Sequence, residues 1–296
     1  AVGAVWWLWH HVHRLTRGAP ADAGRPVRAA AIAFAACVGL SYVVAMTRPI
    51  EIDEISGADT GLIVVGLWVA TVLLVADGVP SRPRMDVLVH RLTLAGGALA
   101  ILGIIQFVTG AILVDQISIP GLSANSRFSS YGRALFTRPP GTSVHPIEYG
   151  AVLTMLLPLA LYSCLTPRSG RRGWVGVALR CWPAAAIVVV VPLSLSRSAL
   201  LGTALGLAIL LPGWPVRVRR IAGVLASGLS VVLFLVVPGL MSTLLGLFSG
   251  VGSDTSAGSR LAGFDNAMAM VERSPVLGRG FGTFLPKYQI LDNQAL

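Results

Sequence analysis

Three arginines occupy positions from which a guanidinium group could bind a phosphate. Arg197 stands in the polar interruption 194–198 between two apolar stretches, while Arg138 and Arg260 lie in two longer polar segments. A guanidinium is planar, permanently charged and able to hold phosphate oxygens through two parallel hydrogen bonds. For Arg197 the local sequence fits a second interpretation equally well, in which a helix-end arginine extends its side chain to lipid headgroups.

Arg260 stands near the start of a predicted amphipathic helix. Apolar residues recur at helical spacing from Ser259 to Glu272, Ser259 is a suitable N-cap, and Ser274-Pro275 ends the pattern. Arg260 would then lie in the first turn, where a cation opposes the helix dipole unless an anion is bound there. This placement favours a ligand-binding role and a helix lying at the outer membrane interface.

Two candidate general bases flank a predicted helix start at Pro146. His145 is the only histidine predicted on the outer side, although such a lone histidine is more often structural than catalytic. Glu148 falls in the first helical turn, where the helix dipole alone already favours a carboxylate. For both residues, the sequence is therefore compatible with either a structural or a catalytic role.

These residues need a membrane scaffold to position them, and seven apolar stretches supply it. Most of them approach the roughly 20 residues that span the hydrocarbon core. The stretches cover residues 29–47, 60–76, 92–114, 147–165, 174–195, 198–214 and 221–248. The fold class predicted is all-α, a polytopic transmembrane helix bundle of about seven spans.

Arginine alternates between the loops and so predicts the orientation of the bundle. Arginines precede the first stretch and follow the second, fourth and sixth, whereas the other short gaps are acidic or mixed. Basic short loops stay cytoplasmic during insertion, so the amino end is predicted inside. Loops 115–146 and 249–296 are then extracytoplasmic, the second carrying the interfacial helix.

Composition supports a membrane protein and excludes several other classes. The chain has 296 residues, 54% hydrophobic and 12% charged, with a mean hydropathy of +0.75. Soluble domains average about 25% charged residues. The net charge of +10 is explained by topology and anionic lipids, and no basic stripe with interleaved aromatics suggests a nucleic-acid partner.

No metal site or cofactor is predicted. Cys37, Cys164 and Cys181 lack metal-ligand spacing and are expected to be buried free thiols that pack as small hydrophobes. Three histidines near the amino end fit an interfacial flank better than a metal cluster. Gly278, Gly280 and Gly282 do not form a dinucleotide loop, because neither a strand nor a helix fingerprint accompanies them.

The domain organisation predicted is one membrane domain, residues 1–296, without repeats or flexible linkers. The abrupt ends at Ala1 and Leu296 suggest an internal piece of a longer protein, truncated in the last loop. Four prolines within the apolar stretches are expected to bend or break their helices. They are Pro158, Pro183, Pro192 and Pro238.

Three separated motifs, in order, resemble the bacterial O-antigen ligase and O-antigen polymerase superfamily. The first runs from Arg138 through Gly141 and Pro146 to Glu148, and the second is Ser196-Arg197 opening a helix. The third leads from Arg260 to the segment 274–280 and Phe284. The resemblance covers about residues 90–296.

The resemblance implies a polytopic inner-membrane enzyme with a large extracytoplasmic loop. Such enzymes transfer glycan from an undecaprenyl-pyrophosphate donor to a lipid or sugar acceptor. It implies that Arg197 and Arg260 contact the donor pyrophosphate, with Arg138 as a further candidate, and that no metal is needed. The expected partners are the lipid-linked donor, the acceptor and membrane lipids.

The chain departs from the family at the proposed base. Many ligases carry a His-Asn pair after the loop helix, whereas this chain reads Asp292-Asn293. An aspartate has an ordinary pKa near 4 and abstracts a hydroxyl proton less readily unless that pKa is raised. Asp292, His145 and Glu148 therefore all remain candidate bases.

Two other functions remain as alternatives. A transporter or lipid flippase would be favoured by charges at midplane depth and by an inverted repeat. The centres of the seven stretches carry essentially no charged residues, and no repeat is visible. A non-catalytic scaffold would not explain why arginines are concentrated in the outer loops.

Overall fold

Apolar runs of spanning length become helices because only internally hydrogen-bonded backbone is stable in lipid. The computed structural model describes residues 25–79, 81–116, 131–133, 136–166, 173–249, 255–276 and 278–285. Nine α-helices lie in these ranges. They are α1 (Arg25–Met46), α2 (Ile52–Gly78), α3 (Arg82–Thr109), α4 (Pro146–Leu165), α5 (Trp174–Leu193), α6 (Arg197–Leu210), α7 (Val216–Val236), α8 (Leu240–Ser249) and α9 (Thr255–Arg273).

The predicted all-α polytopic bundle is confirmed, with six helices long and apolar enough to cross a membrane among the described residues. They are α1 to α5 and α7. The chain is therefore a multi-pass membrane protein. A two-stranded antiparallel hairpin adds to the helices, with β1 (Tyr131–Arg133) paired to β2 (Phe136–Arg138).

Two of the seven predicted stretches differ from the helices observed. Stretch 198–214 forms the short helix α6 followed by one 3₁₀ turn, Leu211–Gly213, and does not reach spanning length. Stretch 221–248 is divided between α7 and α8 at Pro238-Gly239, where Gly239 has φ 83°. Proline lacks an amide donor and glycine adopts positive φ readily, so this dipeptide ends a helix. By contrast, α4 and α5 continue through Pro158 and Pro183.

Two compact units make up the chain. The first combines the described residues up to Arg84 with those after Gly252, and the second runs from Met85 to Val251. In the first unit, α1 and α2 form an antiparallel hairpin. Arg28 pairs with Asp77 at one end of it (3.0 Å), and Arg48 pairs with Glu54 at the other (3.3 Å).

The second unit is built on close helix approach at small residues. A Cβ on Gly97 of α3 would lie 2.6 Å from the Trp182 ring of α5, so only glycine allows this separation. Tyr149 of α4 packs against Gly103 and donates its hydroxyl to the carbonyl of Leu99 at 2.9 Å. Small residues at helix interfaces are the usual basis of packing in lipid.

One expectation about the cysteines is wrong. Cys164 of α4 and Cys181 of α5 form a disulfide, with the sulfur atoms 1.99 Å apart, and Cys37 is free but exposed. Cys164 lies in the last turn of α4 and Cys181 in the third turn of α5, so the two helices pack closely at this level. The disulfide joins residues 17 apart, a spacing that corresponds to no recognised motif.

The predicted amphipathic helix is present as α9, but it begins earlier than the sequence pattern predicts. It begins at Thr255, four residues before Ser259, so Ser259 is not its N-cap and Arg260 lies in the second turn. The dipole argument for an anion at Arg260 therefore fails. The apolar face predicted is seen at Phe264, Met268 and Val271, which are all exposed.

Candidate functional site

A tight reversal between α5 and α6 positions Arg197. Ser194 and Leu195 form the turn, Ser196 is the N-cap of α6, and Arg197 is its first residue. Leu195 has φ 47°, a left-handed conformation that costs a leucine roughly 1–3 kcal/mol. Its fully buried side chain packs with Leu193 and Leu240, and this burial holds the conformation.

Serine hydroxyls surround the start of α6. The Ser196 hydroxyl accepts from the amide of Ala199 (3.4 Å) and lies 3.1 Å from the hydroxyl of Ser198. An N-cap serine satisfies amides that the helix leaves unpaired. Arg197 is half-buried at this terminus, so its charge lies where the helix dipole is already positive.

Arg138 is brought to the same turn by the loop before α4. It is 8% exposed, and its Nε donates to the carbonyl of Ser194 at 3.1 Å. A cation at the carboxyl end of a helix is favourable, so this contact stabilises the end of α5. Because Arg197 follows Ser194 by three residues, two of the three predicted phosphate ligands meet at one reversal.

The segment after Arg138 is fixed to the bundle by two hydrogen bonds. The Gln106 side chain of α3 donates to the carbonyl of Gly141 (2.9 Å) and accepts from its amide (2.8 Å). Gly141 has φ 62° and lies against the Tyr149 ring, so a side chain there has neither conformation nor space. Phe107 and Phe136 stack with centroids 5.7 Å apart and hold β2 on the end of α3.

His145 and Glu148 differ in how the structure uses them. His145 is the N-cap of α4, and its Nδ1 accepts from the amide of Ile147 at 3.0 Å. The lone pair with which Nδ1 would take a proton is thereby engaged. Glu148 lies in the first turn of α4, as predicted, and its side chain is exposed. The geometry favours Glu148 over His145 as a proton acceptor.

The amino ends of α4 and α6 lie side by side. A Cβ on Gly150 of α4 would approach the side chains of Ala199 (2.8 Å) and Ser196 (3.4 Å). One turn further on, Thr154 contacts Gly202, so the two helices run parallel. Two positive helix ends therefore adjoin, next to Arg138 and Arg197, which is an arrangement suited to a strongly charged anion.

The remaining predicted residues lie elsewhere or outside the description. Arg260 belongs to α9 in the first unit, and its side chain is not among those described. Asp292 lies outside the described residues. That Arg197 and Arg260 contact the same pyrophosphate therefore stays a prediction.

A second charged cluster, which the sequence did not indicate, holds the glycine-rich segment in the first unit. Glu54 of α2 is 2% exposed and pairs with Arg48 (3.3 Å) and Arg279 (3.8 Å). Arg48 also donates to the backbone carbonyl of Arg279 at 3.0 and 3.3 Å. We call these three side chains the Arg48–Glu54–Arg279 clasp.

The structure explains why this segment is rich in glycine. Gly278, Gly280 and Gly282 all have positive φ, and a Cβ on Gly280 would lie 2.5 Å from Ala45 of α1. Gly282 packs backbone to backbone against Gly57 of α2. Only glycine permits both the conformation and the approach. The segment therefore fits onto the α1–α2 hairpin and is not a nucleotide loop.

Among the described residues, no group of three His, Cys, Asp or Glu side chains could hold a metal ion. The described chemistry is that of guanidinium groups, hydroxyls, helix ends and one exposed carboxylate.

Comparison with known proteins gives a match over part of the chain. Residues 182–296 match the family model of the O-antigen ligase. The match includes Arg197, Arg260 and the glycine-rich segment, and it confirms the resemblance to the O-antigen ligase and polymerase superfamily. Arg138, His145 and Glu148 precede the matched segment. No curated protein and no solved structure matches the chain significantly.

Proposed function

We propose, from the match of residues 182–296 to the O-antigen ligase family model, that this protein is a glycosyltransferase acting on the outer face of the cytoplasmic membrane. It moves glycan from an undecaprenyl-pyrophosphate donor to a lipid or sugar acceptor. The observation that carries the proposal is the meeting of Arg138 and Arg197 at the α5–α6 reversal. A pyrophosphate is the anion that such a site fits best.

The transfer needs no nucleotide, because the donor already holds a good leaving group. The acceptor hydroxyl oxygen bonds to the anomeric carbon of the donor sugar, and the bond from that carbon to the pyrophosphate oxygen breaks. Negative charge grows on the departing undecaprenyl pyrophosphate. Arg197, the adjoining helix ends and, in our proposal, Arg138 and Arg260 stabilise that charge, which is the largest contribution in many such reactions.

The hydroxyl proton must go to a base. Glu148 is the described candidate best placed to accept it, since it is exposed at the helix end that adjoins Ser196. His145 and Asp292 remain the other candidates. A carboxylate in this position acts as a general base once the hydroxyl lies within hydrogen-bonding distance.

The experiment is transfer of labelled glycan by the purified protein from a lipid-linked donor, with a lipid and a sugar acceptor offered separately. We expect Arg197→Ala to lower the rate by about 10²–10³-fold, the usual cost of removing one electrostatic stabiliser. Arg217→Ala is the matched control, because Arg217 is an exposed arginine in the first turn of α7. It should transfer at the parent rate.

The acceptor used distinguishes a ligase from a polymerase. Movement of the lipid-linked glycan across a vesicle membrane without a new glycosidic bond would instead support the alternative, a transporter or flippase. Equal rates in the Arg197 and Arg217 variants would contradict the proposed site.

A further inference from the structure

The hydroxyl groups of Ser196 and Ser198 form a short hydrogen-bonded chain at the amino end of α6. The backbone amide of Ala199 donates to the Ser196 Oγ (3.4 Å), and the Oγ atoms of Ser196 and Ser198 lie 3.1 Å apart. Ser196 is 2% exposed, whereas Ser198 is an exposed residue. One end of the chain is therefore buried in the helix cap, and the other end is accessible from outside the protein.

The burial of Ser196 determines the direction in which the hydroxyl protons point. A serine hydroxyl has one proton to donate and two lone pairs with which to accept. Among the described residues, the Ser196 hydroxyl has two partners, the Ala199 amide and the Ser198 hydroxyl. The amide only donates, so the Ser198 oxygen is the acceptor for the Ser196 proton. The reverse direction would leave that proton buried without an acceptor, which is costly.

Ser198 consequently keeps its own proton for an acceptor outside this chain. Within the described ranges, its hydroxyl has no partner besides Ser196. A hydroxyl that accepts one hydrogen bond is polarised and becomes a stronger donor in the next one. An exposed donor of this kind bonds to water or to a bound anion.

The surroundings of Ser198 favour an anion. Ser198 follows Arg197 in the first turn of α6, and Arg138 reaches the same reversal through the carbonyl of Ser194. Glu148 is the one acidic residue in the first turns of α4 and α6, so the two arginines outnumber it. Consecutive helical residues point about 100° apart. A hydroxyl and a guanidinium can therefore approach one bulky anion from different sides.

We propose that the Ser198 hydroxyl donates a hydrogen bond to an oxygen of the donor pyrophosphate, and that Ser196 holds it in place. This role rests on the proposed function, because it adds a residue to the same donor site. Ser198 retains its proton throughout, and no bond to its oxygen is formed. Negative charge grows on the leaving pyrophosphate, so the hydrogen bond strengthens in the transition state. Ser198 is then a catalytic residue, and Ser196 is a positioning residue.

Replacement of Ser198 tests the contact directly. In Ser198→Ala, we expect kcat/KM for glycan transfer to fall by about 10–100-fold, the usual effect of losing a hydrogen bond to a charged group. Most of the loss should be in kcat. Ser198→Thr keeps a hydroxyl at an exposed position and should restore most of the rate. An equal loss in both variants would overturn the role of the hydroxyl.

The matched control is Ser242→Ala. Ser242 is also an exposed serine in the first turn of a helix, α8, but its hydroxyl donates to the carbonyl of Gly239 at 2.9 Å. The Ser242→Ala protein should transfer glycan at the parent rate.

A double-mutant cycle separates the positioning role of Ser196 from its role as a helix cap. Ser196→Ala removes the cap of α6 and should lower the unfolding temperature whether or not Ser198 is present. Its effect on transfer should be about 2–10-fold and should appear only while Ser198 is present. A loss by the same factor in the Ser198→Ala background would overturn the positioning role.

Binding of inorganic pyrophosphate provides a measurement that does not need transfer. Thermal unfolding of the full chain in a neutral detergent, followed against pyrophosphate concentration, gives an apparent Kd. Ser198→Ala should raise this Kd by about tenfold, and Ser242→Ala should leave it unchanged.

The two measurements distinguish the role of Ser198 from the proposed function. If the parent and Ser198→Ala transfer glycan equally fast, the role of Ser198 is overturned and the proposed function stands. If the parent transfers no glycan, the proposed function fails. A pyrophosphate affinity that depends on Ser198 would then still support the contact, whereas an affinity equal in the parent and Ser198→Ala would overturn it as well.

Discussion

Arg260 is the residue whose proposed role can be separated most cleanly from folding. Arg260→Lys keeps the positive charge but loses the planar pair of donors that grips phosphate. We expect glycan transfer to fall by about 10²–10³-fold, while the free energy of unfolding changes by less than about 0.5 kcal/mol. Both quantities are measured in one detergent, as transfer rate and as thermal stability.

The same helix contains the control for this substitution. Arg273 is an exposed arginine in the last turn of α9, so Arg273→Lys changes an equivalent side chain away from the proposed anion. It should leave transfer and stability unaltered. If Arg260→Lys behaves like Arg273→Lys, then Arg260 contacts lipid headgroups, and the donor site lacks one of its proposed ligands.

Gln106 tests whether the loop before α4 must be held in place. Gln106→Leu removes both partners of the buried Gly141 backbone, and each unsatisfied group costs about 1–3 kcal/mol. We expect a loss of roughly 2–6 kcal/mol in unfolding free energy, the sum for the two unsatisfied groups, together with lower transfer, because Arg138 is attached to the same loop. Thermal unfolding by circular dichroism measures the first effect.

Thr109→Val is the comparison for Gln106, since it removes an exposed hydroxyl one turn further along α3. Water replaces that hydroxyl, so stability should change by less than about 0.5 kcal/mol. A stable Gln106→Leu protein would mean that the reciprocal bonds to Gly141 contribute little to holding the loop.

At the scale of the elements, the lengths of the apolar runs and the positions of the prolines predicted most of the fold. The helices α1 to α5 follow from runs of spanning length, and Pro238 marked the break between α7 and α8. Pro146 and Glu148 marked the start of α4 correctly. The start of α9 differs from the prediction, because apolar periodicity begins at Leu261 whereas the helix already includes the small polar residues from Thr255.

The contacts that build the site could not be predicted in the same way. Arg138 meets Ser194 across 56 residues, and Gln106 meets Gly141 across 35. A leucine at φ 47° is equally hidden, because a sequence signals such turns through glycine or asparagine. Gln106 is the one residue whose sequence context indicates such a contact, because a lone amide within an apolar stretch must find a buried partner.

The orientation of the whole chain remains a prediction, and the disulfide makes it worth testing. Cys164 adjoins the arginine-bearing loop 166–173 predicted to be cytoplasmic, yet disulfides seldom persist in the cytosol. Single cysteines at Ser129 and Ser253, in a variant whose own cysteines are replaced by alanine, place both long loops. We expect an impermeant maleimide to label both positions in intact cells.

Labelling of a third position tests which residues lie on the opposite side of the membrane. A cysteine at Ser169 should be labelled only after the membrane is opened. Labelling of Ser169 in intact cells, with protection of both other positions, would invert the chain and place the proposed site in the cytoplasm. The disulfide would then face the compartment in which such bonds persist.

The clasp also has a consequence for the order in which the chain is made. Arg48 lies only six residues from Glu54, so the α1–α2 hairpin carries a partner for its buried carboxylate as soon as it leaves the ribosome. The carbonyl of Arg279 that Arg48 holds is translated 231 residues later, roughly 10–45 s afterwards at ordinary elongation rates. During this interval α1 lacks the glycine-rich segment that lies beside Cys37 in the completed chain. Nascent chains arrested before the glycine-rich segment should therefore expose Cys37 to a maleimide more readily than completed chains do.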